Sequence, residues 1–295
     1  MKSLNILVTG GAGFLGSHIA DELTGEGHNV TLLDTVQSPY LSQGQNMIIA
    51  DILDYDVVHN AMKDIDVVFH LAALADIGAA QDRPLDTMKI NVLGTTHVLE
   101  AVRQNKVKRI IFASTIYVYS RTGSFYRVSK HACELLLEEY HERFGLDYTI
   151  LRFGTLYGTR ANESNSIYRL LREALTTNKI EFYGTGKEVR EYIHVVDAAK
   201  LCVEILDEKF RAQTLILTGH NRMKLVEILD MINEILGNKI KVIYHNQESK
   251  SHYMQTPYSY IPRIGKKIVC NPYCDLGQSL VEILHEIDSK IEKNY

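Results

Sequence analysis

The stretch NILVTGGAGFLG, Asn5–Gly16, decides the fold. Asn5 to Thr9 is a short apolar run rich in Ile, Leu and Val, and it reads as a buried strand. It runs directly into Gly10, Gly13 and Gly16, and a helical pattern extends from Gly13 to Gly25. Strand, glycine turn and helix in that order suit a dinucleotide phosphate. Glycine permits the tight turn and close backbone approach, and the helix N-terminus presents unpaired amide hydrogens to the pyrophosphate. For the glycines alone, an ordinary turn is the competing reading.

Outward from this stretch, strand patterns recur at Val30 to Leu33, Met47 to Ala50, Val67 to Leu71, Arg109 to Ser114 and Asp147 to Arg152, with helical stretches between most of them. Strands alternating with helices pair in parallel through crossover helices. The expected class is therefore α/β, a doubly wound parallel sheet of Rossmann type. After about Gly158 the rhythm changes. Helical stretches at Ser166 to Thr177, Val196 to Glu208 and Lys224 to Leu236 are separated by strand-like pieces such as Lys179 to Tyr183 and Thr214 to Thr218, and Asp275 to Ile291 reads as an amphipathic helix. The expected division is a dinucleotide-binding domain over residues 1–158, to which 186–205 returns, and a smaller C-terminal α/β substrate-binding lobe over 159–295.

Two single positions add chemistry. Asp34 lies eighteen residues past Gly16 at the end of the second strand pattern, where a carboxylate accepts hydrogen bonds from ribose hydroxyls and repels a ribose phosphate. A strand-ending turn aspartate is the plainer alternative. Tyr126 and Lys130 begin a helical pattern running to Phe144, with Ser124 as candidate cap. A spacing of four puts phenol and ammonium on one helix face. A free tyrosine titrates near pKa 10 and is a poor base at neutral pH, but neighbouring positive charge favours the phenolate.

The 295-residue chain carries a formal net charge of −4, with no basic footprint for nucleic acid. Cys133, Cys202, Cys270 and Cys274 are too few and too scattered for a disulfide framework, and their spacing supplies no zinc site. The first residues do not read as a signal peptide, and no apolar run approaches the roughly 18 residues of a membrane helix. A cytoplasmic protein without membrane, nucleic-acid or metal partners is expected.

Taken together with Asn91-Val92-Leu93-Gly94-Thr95, Leu151-Arg152-Phe153-Gly154-Thr155-Leu156-Tyr157-Gly158 and Arg190-Glu191-Tyr192-Ile193-His194, these motifs resemble the extended short-chain dehydrogenase/reductase family, and within it the NAD-dependent epimerases and dehydratases of nucleotide sugars. The resemblance implies NAD as cofactor, held by Gly10, Gly13, Phe14, Leu15, Gly16, Asp34, the adenine-contacting Asp51 and Ile52, Leu71, Ala72, Ala73, Ser114, Tyr126, Lys130 and Phe153. It implies Thr115, Tyr126 and Lys130 as catalytic residues, and Thr115, Tyr126, Thr155 and Arg190 as contacts of a nucleotide-diphosphate sugar. The implied reaction is 4-epimerisation through a transient 4-keto sugar, with Tyr126 as base. The alternatives are a nucleotide-sugar dehydrogenase or keto-sugar reductase, a 4,6-dehydratase, and a non-catalytic NAD-binding regulator. It further implies a homodimer through helices at Leu85 to Gln104 and Tyr126 to Phe144, with Leu136, Leu137 and Tyr140 as its apolar stripe.

The chain departs from the family in four places. Only ten residues separate Thr115 from Tyr126, so part of the usual sugar-pocket wall is missing or supplied elsewhere. Ile116 and Tyr117 stand where 4,6-dehydratases carry an Asp-Glu pair, which disfavours dehydration. Thr155 replaces a substrate-side Asn. His252 to Lys267 lacks the family's phosphate-binding pattern.

Overall fold

The structure is a computed structural model that describes residues 3–220, 222–245, 252–254 and 266–292. Its strands are β1 (Asn5–Thr9), β2 (Asn29–Asp34), β3 (Gln45–Ile49), β4 (Val67–His70), β5 (Arg109–Thr115), β6 (Tyr148–Phe153), β7 (Thr155–Tyr157), β8 (Lys179–Phe182), β9 (Val189–His194), β10 (Gln213–Leu217), β11 (Arg222–Lys224), β12 (Lys241–Tyr244) and β13 (Lys266–Ile268). Its α-helices are α1 (Phe14–Gly25), α2 (Tyr55–Ala61), α3 (Ile77–Asp82), α4 (Pro84–Met88), α5 (Gly94–Gln104), α6 (Ser124–Phe144), α7 (Ser166–Thr177), α8 (Val195–Glu204), α9 (Leu225–Ile235) and α10 (Leu276–Glu292).

Eight strands form one sheet in the order β13-β10-β6-β5-β4-β1-β2-β3, and every neighbouring pair is parallel. The expected doubly wound sheet is what forms. Side chains alternate across β1 as a strand requires. Ile6 and Val8 pack on one face with Ile19, Ala20 and Leu23 of α1 and Leu201 and Cys202 of α8. Leu7 packs on the other with Val58 of α2, Val98 and Leu99 of α5 and Leu137 of α6. Burial on both faces explains the unbroken apolar run, each such side chain contributing roughly 1.5–3 kcal/mol. The chain builds outward from β1 to β3, then returns to lay β4 on the other side of β1, opening a crevice at the carboxyl ends of β1 and β4.

Two strands from beyond residue 205, β10 and β13, complete the far edge of this sheet. The remaining elements build a smaller lobe. Ile167 and Leu171 of α7, Ile228 and Ile232 of α9, and Leu280, Ile283 and Ile287 of α10 form its core with Ile180 of β8. Small sheets β11-β9-β7 and β12-β8 flank it.

Three local expectations change. The helix carrying Tyr126 begins at Ser124, and its N-cap is Gly123, left-handed at φ 100° and without a side-chain cap bond. Leu85 to Gln104 is not one regular helix, because Lys89–Leu93 forms a wider π-type turn between α4 and α5. Leu137 is fully buried and so absent from the surface stripe, while half-buried Tyr140 donates to Glu100.

Candidate active site

A cleft of about 590 Å³ lies over the carboxyl ends of β1, β4 and β5. The glycine turn forms its floor. Gly10 has φ +71°, a conformation costly for residues with a Cβ, and a Cβ at Gly16 would sit 2.1 Å from the Gly10 carbonyl oxygen. The backbone therefore closes into a cradle that side chains would fill. No side chain caps the N-terminus of α1 above it, so its first amides are left to an anion. At the end of β2, Asp34 Oδ2 accepts from the Ala12 amide at 3.0 Å and Oδ1 from the Thr35 amide at 2.7 Å. A glycine cradle, an open helix N-terminus and a carboxylate at the cleft rim fit a dinucleotide.

The reactive groups meet at the β5 end. Thr115 is the last residue of β5; its hydroxyl accepts the Tyr117 amide at 3.2 Å and lies near enough to the Tyr126 phenol to favour its ionised form. One turn along α6, Lys130 Nζ donates to the Ala113 carbonyl at 2.7 Å and lies 5.9 Å from the Tyr126 ring centroid. Burial pushes the Tyr126 phenol up to about 12, partly opposed by the nearby Thr115 hydroxyl. Burial likewise pulls the Lys130 ammonium down to about 8, with Cys133 and Glu134 opposing. In the free protein at neutral pH, Tyr126 is thus a phenol, and burial outweighs the help expected from Lys130. Deprotonation needs further positive charge beside it.

Buried polar networks hold these groups. Glu134 of α6 and Arg152 of β6 pair at 2.6 Å with side chains 3% and 5% exposed. Glu134 Oε1 also accepts from Ser114 at 2.5 Å, and Arg152 donates to the Tyr119 hydroxyl at 2.5 Å. Strand end, turn and catalytic helix are thereby joined through one charged pair. The π-type turn directs Asn91 inward, where its amide bonds Leu74 on the cleft wall and Ser129 of α6. Below the floor, buried His70 joins Thr9 and Thr95 at 2.7 and 2.9 Å. Burial, then Lys130, holds its imidazole down to about 3.

All fifteen residues expected to hold the cofactor line the cleft, as does Thr115. Thr155 and Arg190 do not. Thr155 pairs with Tyr192 in the small sheet, and the Arg190 guanidinium lies 4.1 Å from the Tyr253 ring centroid. Arg83, Asn162 and Ser164 also line the cleft. No motif marked them, because they sit at a helix edge and in a connecting segment without periodicity. A second cavity of about 90 Å³, lined by His194, Asp197 and Thr218 among others, shares no residue with the first. Among the described residues, no cluster of three or more His, Cys, Asp or Glu could hold a metal ion, and no helix is long and apolar enough to cross a membrane. Of the His252 to Lys267 stretch, 255–265 lie outside the described residues.

Comparison with known proteins agrees with this geometry. The model of the NAD dependent epimerase/dehydratase family matches residues 6–216. A UDP-N-acetyl-alpha-D-glucosaminuronate decarboxylase of Bacillus cytotoxicus is 31% identical over 264 residues, covering 81% of this chain and 82% of that protein. A putative UDP-glucose 4-epimerase of Methanocaldococcus jannaschii is 31% identical over 261 residues, covering 81% and 85%. Among solved structures, UDP-N-acetylglucosamine 4-epimerase from Methanobrevibacter ruminantium, in complex with UDP-N-acetylmuramic acid, superposes with a TM-score of 0.84 at 26% identity, over 98% of this chain and 100% of that one. MoeE5 in complex with UDP-glucuronic acid and NAD gives 0.85 at 26% identity, over 97% and 99%.

Proposed function

We propose, from the premise that the chain belongs to the NAD-dependent epimerase/dehydratase family and is an NAD-dependent enzyme, that it interconverts C4 epimers of a nucleotide-diphosphate sugar. The observation that carries this reading is that Thr115, Tyr126 and Lys130 line one end of a cleft that fits a dinucleotide. The cleft-forming sheet holds the cofactor, with Asp34 at the adenosine ribose, and the lobe built on α7, α9 and α10 closes over the sugar nucleotide. Arg190 serves the diphosphate.

Bound NAD supplies a hydride acceptor and a positive charge beside Tyr126. Tyr126 Oη takes the proton of the sugar 4-hydroxyl as the C4 hydride departs, and Thr115 Oγ1 holds the reacting oxygen. Lys130, anchored on the Ala113 carbonyl, steadies the phenolate. After the 4-keto sugar turns over, the hydride would return to the opposite face of C4, which inverts that centre, and Tyr126 returns the proton to the 4-oxygen. Ile116 and Tyr117 offer no carboxyl pair to expel water, so the ring keeps its substituents. The protein acts in the cytoplasm as a homodimer.

The test is product analysis with UDP-glucose and UDP-N-acetylglucosamine, run beside Tyr126→Phe. The expected result is C4 epimers from the wild type and a hundredfold or greater loss of rate in the variant, about the range for losing a general acid/base. Unchanged sugars, or a variant as fast as wild type, would contradict it. The 31% identity to a decarboxylase favours a second arm with a UDP-hexuronate. Carbon dioxide release there would assign the same oxidation to decarboxylation.

A further inference from the structure

The shortened connection between Thr115 and Tyr126 leaves room that another part of the chain fills. Tyr117, on the 3-10 turn directly after Thr115, places its hydroxyl 2.7 Å from His252 Nδ1. Its ring lies 4.6 Å from that of Tyr253, which also carries the Arg190 guanidinium over its face. The Met254 carbonyl accepts from the Val189 amide at 2.8 Å, and Tyr253 packs with Ile116 and Ile216. Residues 252–254 therefore bridge the catalytic turn and the start of β9, which carries Arg190.

This bridge has a defined chemistry. Burial keeps the Tyr117 phenol protonated well above the usual range, and burial with Arg190 and Arg169 nearby keeps His252 neutral. With Tyr117 donating to Nδ1, the His252 ring proton would sit on Nε2 as a donor. Tyr126 and Arg190 both lie close enough to Tyr117 to act on its charge. Tyr117 therefore stands beside both the reacting end and the arginine assigned to the diphosphate.

We propose that Tyr117 and His252 are specificity-determining residues, forming the sugar-side wall of the substrate site and offering a ring N–H to a sugar substituent. The inference rests on the nucleotide-sugar reading above. It assigns to residues 252–254 the wall that the ten-residue connection cannot supply.

The experiment compares wild type, Tyr117→Phe, His252→Ala and His252→Gln on UDP-glucose, UDP-N-acetylglucosamine and UDP-glucuronic acid. It records kcat and KM, the calorimetric Kd of each UDP-sugar, and bound NAD per chain. Tyr117→Phe and His252→Ala should change the preference between sugars about tenfold or more, mainly in KM and Kd. NAD content should hold, and His252→Gln, which keeps a donor, should recover part of the loss. Preferences within twofold of wild type in every variant overturn the inference alone. A wild type that carries NAD but binds none of the three UDP-sugars overturns it together with the nucleotide-sugar reading.

Discussion

Asp34 and His70 show how single residues set cofactor choice and pH response. Asp34 spans the glycine turn and the end of β2, so a 2′-phosphate on the cofactor ribose would meet its carboxylate. Wild type should bind NAD much more tightly than NADP, and Asp34→Ala should narrow that gap in a fluorescence titration. Equal affinities in the wild type would place Asp34 elsewhere in the chemistry. His70 stays neutral in the fold and is held down to about 3, whereas an unfolded histidine takes its proton near 6.5. Its contribution to stability is therefore complete above pH 6.5 and is lost progressively as pH falls below that value. Between pH 7.5 and 5 the loss from this residue is about 2 kcal/mol. Urea denaturation of wild type and His70→Gln at both pH values checks this, since the stability gap between them should shrink in acid. A gap independent of pH would contradict it.

At the scale of elements, the charged pair between α6 and β6 is the structural fixture of the reacting end. Glu134→Ala would remove the carboxylate paired with buried Arg152, at a cost of about 3–5 kcal/mol. Thermal denaturation should fall by several degrees or more, and a change under about 1 kcal/mol would show that water reaches the arginine. These elements were unequally legible in the sequence. The glycine turn and the strands through β6 could be read because their signals are local: apolar runs, a turn residue at each end and helical periodicity between. β10 and β13 could not be assigned to the large sheet, since their pairing partners lie far off in sequence and β13 spans only three residues. The Gly123 cap was hidden because Ser124 is the better capping residue by type. Asn91 was legible as part of a motif, but its inward turn depends on a π-type turn with no pattern of its own. The residues lining the cleft were readable as a set because strand ends place them. Thr155 lies off the cleft although its neighbours Gly154 and Leu156 line it, because successive side chains of a strand point to opposite sides, and Arg190 lies instead over the Tyr253 ring.

For the whole molecule, apolar surface remains where α4, the π-type turn and α6 face outward. Leu85 is 79% exposed, and Leu93, Phe125, Val128 and Leu135 remain substantially exposed, unlike the buried Leu137. Pairing these helices across a twofold axis would cover them. Light scattering at micromolar concentration should give twice 33.5 kDa, and Val128→Lys with Leu135→Lys should halve it. A monomeric wild type would contradict the dimer, and a dimeric double variant this interface. Epimerisation must return the hydride within the same molecule. Purified protein carrying NAD is incubated with an excess of UDP-glucose or UDP-N-acetylglucosamine, while absorbance in the reduced-nicotinamide band and sugar configuration are followed together. The account predicts many turnovers to the C4 epimer without net accumulation of reduced cofactor. Reduced cofactor rising in step with an oxidised sugar, with no epimer formed, would contradict it.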